Sequence, residues 1–308
     1  MGADRVTLRD VAAAAGVSRA TAGFVLSDAK GVTISPATQE RVRAAARGLG
    51  YAPHGIARAL REGSSRIVVL SIDSGYEGNY ARSFTRGLDD ELDRHGHVLL
   101  VRHGFSARSA GQVLAAVSPR AVLRLPGNYL EPGRELDDGG WADGLAANAA
   151  VQLRYLADRG HTGIGLALPD GDPPLGPVRL RFAREAAGQI GLPPPPALIV
   201  PAERAAAGPA LRAFLAEFGK VTAVAAFDDG AALRVLAAMR DLGLAAPADL
   251  AVVGFDDTEY GALTAPALTT VHIDAEEHGR RAARAVLGLD AQAPPAAAPG
   301  RVIVRESA

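Results

Sequence analysis

Adjacent carboxylates at Asp256 and Asp257, at the end of the apolar run Leu250–Phe255, are the nearest approach in this sequence to an acid–base pair. Two such groups could divide a proton transfer, one as acid and one as base. Nothing around them completes a catalytic set. The seven histidines are scattered at 54, 95, 97, 103, 161, 272 and 278, without the spacing of a zinc-binding helix. No glycine-rich phosphate loop or nucleophile elbow occurs. The chain has no cysteine, which excludes thiol nucleophiles, disulfides and cysteine-ligated metals. The expectation is a protein that is not an enzyme and carries no metal or cofactor.

Binding chemistry is more evident at the front of the chain. Residues 1–62 carry nine Lys/Arg against five Asp/Glu, a charge of +4, while the remaining 246 residues carry −5. The net charge of −1 therefore averages two unlike parts. A basic module on an acidic body suits a polyanionic partner; an ordinary solvated face is the competing reading. The elements that would position such a surface can be read from capping signals. Thr7 followed by Asp10 resembles a capping box opening a helix to about Ala15. Gly16 supplies a turn, and Ser18 caps a second helix, Arg19–Leu26. Ser35 and Pro36 start a third, from Ala37 to about Gly48. The helix–Gly turn–helix at 7–27 has the spacing of a helix-turn-helix, whose second helix enters the DNA major groove. A helix pair in a generic bundle has the same spacing, so spacing alone leaves both readings open.

A short helical stretch, Pro53–Arg61, precedes a Gly63-Ser64-Ser65 linker. From Arg66 onward, apolar strand candidates alternate with helices. The strands are Ile67–Ile72, Val98–Val101, Ala121–Leu125, Ile164–Leu168, Ala197–Val200, Ala223–Phe227, Leu250–Phe255 and Thr269–Ile273. The helices include Tyr80–His95, Ala146–Arg159, Arg179–Ile190, Ala206–Glu217 and Gly230–Leu242. Such alternation implies a doubly wound parallel α/β architecture, and this many strands implies two sheets. Ligands in such folds sit beyond the carboxyl ends of the strands. No apolar run is long enough to span a membrane and no signal peptide is evident, so a cytoplasmic protein is expected.

The motifs then become specific. Val6-Thr7-Leu8-Arg9-Asp10-Val11-Ala12, Ala15-Gly16-Val17-Ser18-Arg19-Ala20-Thr21 and Leu49-Gly50-Tyr51-Ala52-Pro53 resemble the lactose-repressor (LacI/GalR) family of bacterial transcription regulators. The likeness continues through Ala57-Arg58-Ala59-Leu60-Arg61, Val252-Val253-Gly254-Phe255-Asp256-Asp257, Pro266-Ala267-Leu268-Thr269-Thr270-Val271 and Val304-Arg305-Glu306-Ser307. It implies an all-α helix-turn-helix headpiece over 1–50, a hinge helix and linker over 51–65, and a periplasmic-binding-protein-like effector domain over 66–308. That domain would have an N-subdomain of about 66–143 and 274–290, and a C-subdomain of about 144–272 and 291–308.

The resemblance also implies roles. Arg19, Ala20 and Phe24 would face base edges, Arg19 being able to grip guanine through two hydrogen bonds. Ala20 and Phe24 offer only apolar contact, for instance to thymine methyls, and Phe24 replaces the family's usual arginine. Ala22-Gly23, Ser27 and His54 are further departures. Hydroxyls of Thr7, Ser18, Thr21, Ser35 and Thr38 suit phosphate contacts, with helix capping as the alternative, especially at Ser35. In the hinge, Ala57, Arg58 and above all Leu60 would meet the minor groove, the leucine wedging a base step.

In the effector domain the likeness points to Asn79, Arg179, Asp228 and Asp256 as ligand contacts, while Asp229 and Asp257 read better as structural caps. For Arg179, a surface position on an arginine-rich helix is the alternative. Glu203 stands where a cleft aromatic is usual, and Asp143, near the sole tryptophan Trp141, is the one candidate for a usual Asp-Asn pair. The implied partners are a pseudo-palindromic double-stranded DNA operator, a second copy as homodimer (the chain stops at Ala308 without a heptad tail), and a small polar metabolite such as a sugar. A solute-binding protein or a degenerate cleft enzyme of the same fold is the alternative function.

Overall fold

The computed structural model describes residues 6–26, 33–51, 65–72, 78–103, 107–125, 144–171, 175–289 and 300–308. It divides into two compact units: Met1–Arg66 with Leu114–Pro119, and Ile67–Val113 with Arg120–Ala308. None of the described helices is long and apolar enough to cross a membrane.

The first unit holds α1 (Leu8–Ala15), α2 (Arg19–Leu26) and α3 (Pro36–Gly48). The three meet through small residues. Val11, Ala12 and Ala15 of α1, Ala22 and Val25 of α2, and Val42 and Ala46 of α3 are all buried against one another. Such short helices are marginal alone and depend on this shared core. Gly16 ends α1 in the left-handed region at φ 63°, as a tight interhelical turn requires.

The second unit contains two parallel sheets. In the first, β1 (Ile67–Ile72) lies between β2 (Val98–His103) and β3 (Ala121–Leu125). Helix α4 (Asn79–Arg94) connects β1 to β2, and α5 (Ala107–Val117) connects β2 to β3. In the second, the order is β5–β4–β6–β7, from β4 (Ile164–Pro169), β5 (Ala197–Val200), β6 (Ala223–Ala226) and β7 (Ala251–Val253). Its faces follow the two-residue strand period. Ala223 and Ala225 face Leu153, Leu156, Ala183 and Ala187 of α6 (Leu145–Ala157) and α7 (Gly176–Gln189). Val224 and Ala226 face Leu211, Phe214, Val235 and Met239 of α8 (Arg204–Glu217) and α9 (Asp229–Asp241).

After β7 the chain forms β8 (Thr270–His272), then α10 (Glu276–Leu287), and returns as β9 (Arg301–Ile303) antiparallel to β8. Helix α10 packs beside α4 over the first sheet, with Ala283 in the same core as Leu70, Phe84, Leu88 and Leu92. Glycines permit that close approach: a Cβ at Gly279 would lie 2.1 Å from Phe84 O, and one at Gly87 1.9 Å from Glu276 O.

Most expected elements are present with boundaries moved by a few residues. The apolar run Leu250–Phe255 is strand only over Ala251–Val253, because beyond it Gly254 N donates to Thr269 O and Phe255 N to the Asp229 carboxylate. Helices α5 and α10 and strand β9 were not among the sequence expectations.

Candidate functional site

In the first unit, each helix start is held by a polar side chain. The Asp10 carboxylate accepts hydrogen bonds from Thr7 N and Thr7 Oγ1, both at 2.7 Å, and these hold the Asp10 carboxyl below the ordinary aspartate value. Ser18 Oγ accepts from Thr21 N at 3.0 Å and lies 2.8 Å from Thr21 Oγ1. Ser35 Oγ accepts from Thr38 N at 3.3 Å and donates to Thr38 Oγ1 at 2.9 Å. The hydroxyls expected at phosphates are thus all engaged in capping contacts, and all sit at exposed helix starts. Arg41 Nε donates to Ala15 O, tying α3 to the end of α1.

Burial of Ala22 and Val25 fixes which face of α2 turns outward. Arg19 and Ala20 are exposed on it, and Phe24 keeps 43% of its surface in solvent. One turn apart on a helix, Ala20 and Phe24 share a face. A phenylalanine this exposed sets an apolar surface on the outward side of the helix that Arg19 opens. The hinge positions Ala57, Arg58 and Leu60, and also Ser27, His54, Trp141 and Asp143, lie outside the described residues.

In the second unit, three aspartates and an arginine gather at the carboxyl ends of β6 and β7. Asp228 caps α9, its Oδ1 accepting from Ala231 N at 2.6 Å. Burial raises its carboxyl, against the Ala231 amide and the charges of Arg234 and Arg179. Arg179, on α7, is only 2% exposed, which overturns the surface alternative. Its Nη2 donates to Gln152 Oε1 and Ala226 O, both at 3.1 Å, and its guanidinium carbon stacks 3.7 Å from the centre of the Phe255 ring. Gln152 Nε2 in turn donates to the carbonyls of Ala226, Val253 and Gly254 at 2.9–3.0 Å.

Asp256 is differently used. It stands at φ 90°, donates its amide to Val271 O at 2.7 Å, and accepts from Asn79 N at its own carbonyl at 3.0 Å. Its carboxylate Oδ1 accepts from Tyr80 N. Burial, reinforced by the nearby charges of Asp229 and Asp228, pushes this carboxyl up to about 7, against the Tyr80 amide and Arg82. The Asn79 side chain donates to Ile273 O at 2.6 Å. Asn79 and Asp256, both expected to face a ligand, are therefore bound to the protein and to each other.

Asp229 is fully buried and accepts from Phe255 N, Thr270 Oγ1, Thr258 N and Thr258 Oγ1. Asp257 pairs with Arg305 at 2.8 Å and His272 at 2.9 Å; burial opposes its ionisation, but these bonds prevail and hold the carboxyl low. The two neighbouring carboxylates thus have separate partners, Tyr80 N for Asp256 and Arg305 with His272 for Asp257. Glu203 is an exposed residue at the start of α8. The sequence reading missed Gln152, Arg82, Gly78 and the Phe255 stack. Gln152 carried a usable signal, since Asn148 and Gln152 are amides one turn apart on a helix that is apolar from Leu145 to Leu153 apart from these two.

Against known families, residues 7–54 match the model of the bacterial regulatory proteins of the lacI family, and residues 153–308 match that of a periplasmic binding protein-like domain. The chain belongs to the lacI family. The ribose operon repressor of Escherichia coli (strain K12) is 28% identical over 301 residues, covering 90% of each chain. The repressor PurR of Aliivibrio salmonicida is 25% identical over 305 residues, covering 91% of each. Among solved structures, the lac repressor dimer bound to operator and an anti-inducer superposes with a TM-score of 0.74 at 22% identity, covering 99% of both chains. This lacI-family chain thus has the repressor fold, a helix-turn-helix headpiece followed by a periplasmic-binding-protein-like α/β domain, and it is a transcription regulator.

Proposed function

We propose that this lacI-family protein is a cytoplasmic, homodimeric repressor that grips a pseudo-palindromic DNA operator and is controlled by a small polar metabolite, such as a sugar. The observation that carries the DNA reading is the outward face of α2, where Arg19, Ala20 and Phe24 stand exposed on a helix fixed by buried Ala22 and Val25. Laid in a major groove, that face offers one guanidinium fork for guanine and an apolar surface. Thr7, Ser18, Thr21, Ser35 and Thr38, at the helix starts, would meet phosphates and set register. In this reading residues 1–50 form the headpiece, 51–65 the hinge with Ala57, Arg58 and Leu60 at the minor groove, and 66–308 the effector domain. Arg179 and Asp228 form the polar floor of the ligand site, with Asn79 and Asp256 beside it. Likeness to a ribose operon repressor supports a sugar-like ligand.

Selection of bound sequences from a random duplex pool, followed by fluorescence anisotropy, tests the reading. The expected result is a two-fold symmetric site bound with steep salt dependence, since phosphate contacts release counterions. Recovery of no preferred sequence at low salt would refute it.

A further inference from the structure

Helix α4 opens at Gly78, which supplies no capping side chain of its own. The first amides of an α-helix have no partner within the helix. Here they are satisfied from a point 176 residues away, Tyr80 N by the Asp256 carboxylate and Asn79 N by Asp256 O. The Asn79 side chain adds a third link, to Ile273 O. A Cβ at position 78 would fall 1.6 Å from Asp256 Oδ2, so the carboxylate fills the space that any side chain there would need. Helix α4 belongs to the first sheet, whereas Asp256 follows β7 of the second. Three hydrogen bonds therefore join the two halves of the effector domain here, and the one through the Asp256 carboxylate is the link a ligand can draw away. That carboxylate lies within range of Asp228 and Asp229, whose charges disfavour a third carboxylate.

We propose that Asp256 is a positioning residue, a latch that holds the first turn of α4 against the second sheet and through it sets the operator-binding state of the repressor. The latch rests on the repressor reading above. A ligand whose hydroxyl or ammonium group draws the Asp256 carboxylate away would uncap α4 and free the first sheet to shift. The ligand and the helix thereby compete for the same oxygen atoms, which converts occupancy into movement without any further device.

The full-length protein tests this through amide hydrogen exchange over residues 78–84, together with anisotropy on the operator recovered by selection. Asp256→Ala removes the acceptor, and Gly78→Ala displaces it from the other side. Both should speed exchange in the first turn of α4 by about 5- to 30-fold, the effect of losing a helix cap, and both should change operator Kd at least about fivefold. Asp256→Asn, which keeps the acceptor oxygen, should restore most of the protection and the affinity. Unchanged exchange across α8 and α9 serves as the folding control. Retained protection in Asp256→Ala and Gly78→Ala overturns the latch, as does faster exchange with unaltered operator Kd, which would make the contact a local cap. If wild-type protein selects no operator, the repressor reading fails, and so does this role for Asp256, whatever the exchange shows.

Discussion

Replacing Asp256 by asparagine removes a carboxyl whose ionisation the second unit opposes. The carboxyl is largely withdrawn from solvent, lies near the charges of Asp229 and Asp228, and is pushed up to about 7 even though the Tyr80 amide and Arg82 favour its ionised form. In the unfolded chain an aspartate titrates at about 3.9. Between about pH 4 and pH 7 the folded molecule therefore holds a proton that the unfolded chain has released. Stability from this group is full below that window, falls as the pH rises through it, and levels off above about pH 7. At about 1.36 kcal/mol per pH unit, the whole window amounts to about 4 kcal/mol, and its upper part, above pH 5, to about 3 kcal/mol. Asparagine keeps an oxygen for Tyr80 N and carries no charge, so the variant escapes this decline. Asp228 and Asp229 are raised by burial too, which is common to both proteins, so only their coupling to Asp256, already contained in its raised value, separates the two. Urea unfolding followed by circular dichroism at pH 5 and pH 8 reads the outcome. The advantage of Asp256→Asn over wild type should grow by about 3 kcal/mol between the two pH values, or roughly 6–12 °C in melting temperature. Parallel pH profiles for the two proteins would show that Asp256 is already solvated or paired, and the reasoning would fail.

Three further outcomes are expected. Arg179→Ala should lower the unfolding free energy by about 3 kcal/mol, because it abandons the Gln152 and Ala226 bonds, the Phe255 stack and a counter-charge for Asp228; a loss below about 1 kcal/mol in urea titration would make Arg179 a ligand contact with little structural duty. Gly279→Ala should cost about 2 kcal/mol, since its Cβ meets backbone at Phe84 and Leu88 that cannot yield, and a melting temperature equal to wild type would contradict the close α4–α10 packing. On a selected operator, Phe24→Ala should weaken binding about tenfold while leaving the salt slope unchanged, and exchanging the facing dT for deoxyuridine should weaken wild type but not Phe24→Ala; equal sensitivity of both proteins to the missing methyl would exclude Phe24 as its reader.

The headpiece was legible because each of its boundaries carries a local chemical signal. Thr7 with Asp10, Gly16, Ser18, and Ser35 with Pro36 mark helix ends through hydrogen bonds to their own neighbours, and such bonds leave traces within a few residues of sequence. The strands of both sheets were legible as apolar runs. Helix α10 was not, because its packing runs through Gly279 and Ala283 on a segment otherwise rich in charge, so close approach replaces hydrophobic bulk as the signal. Strand β9 is three residues long and depends on β8, about 30 residues earlier. The same division holds at the site. Arg179, Asp228 and Asp256 were found by family likeness, yet the partners that decide what each can do, Gln152 and Phe255 for Arg179 and Tyr80 N for Asp256, are long-range and left no local mark.

Those partners also rank the three aspartates as ligand acceptors. A carboxylate offers about four lone-pair positions. Asp229 accepts four hydrogen bonds among the described residues, from Phe255, Thr270 and twice from Thr258, so its capacity is filled and its duty is to hold the turn after β7. Asp256 accepts from Tyr80 N at its carboxylate, and a ligand must break that bond to use the oxygen in the same geometry. Asp228 commits Oδ1 to Ala231 N at its own helix start, and Arg179 lies close enough to influence its charge. A ligand hydroxyl reaching Asp228 would gain a charge-assisted bond without dismantling a contact between the sheets, whereas one reaching Asp256 would dismantle it. Binding and switching would then be assigned to different aspartates of one cluster, Asp228 for holding the ligand and Asp256 for answering it.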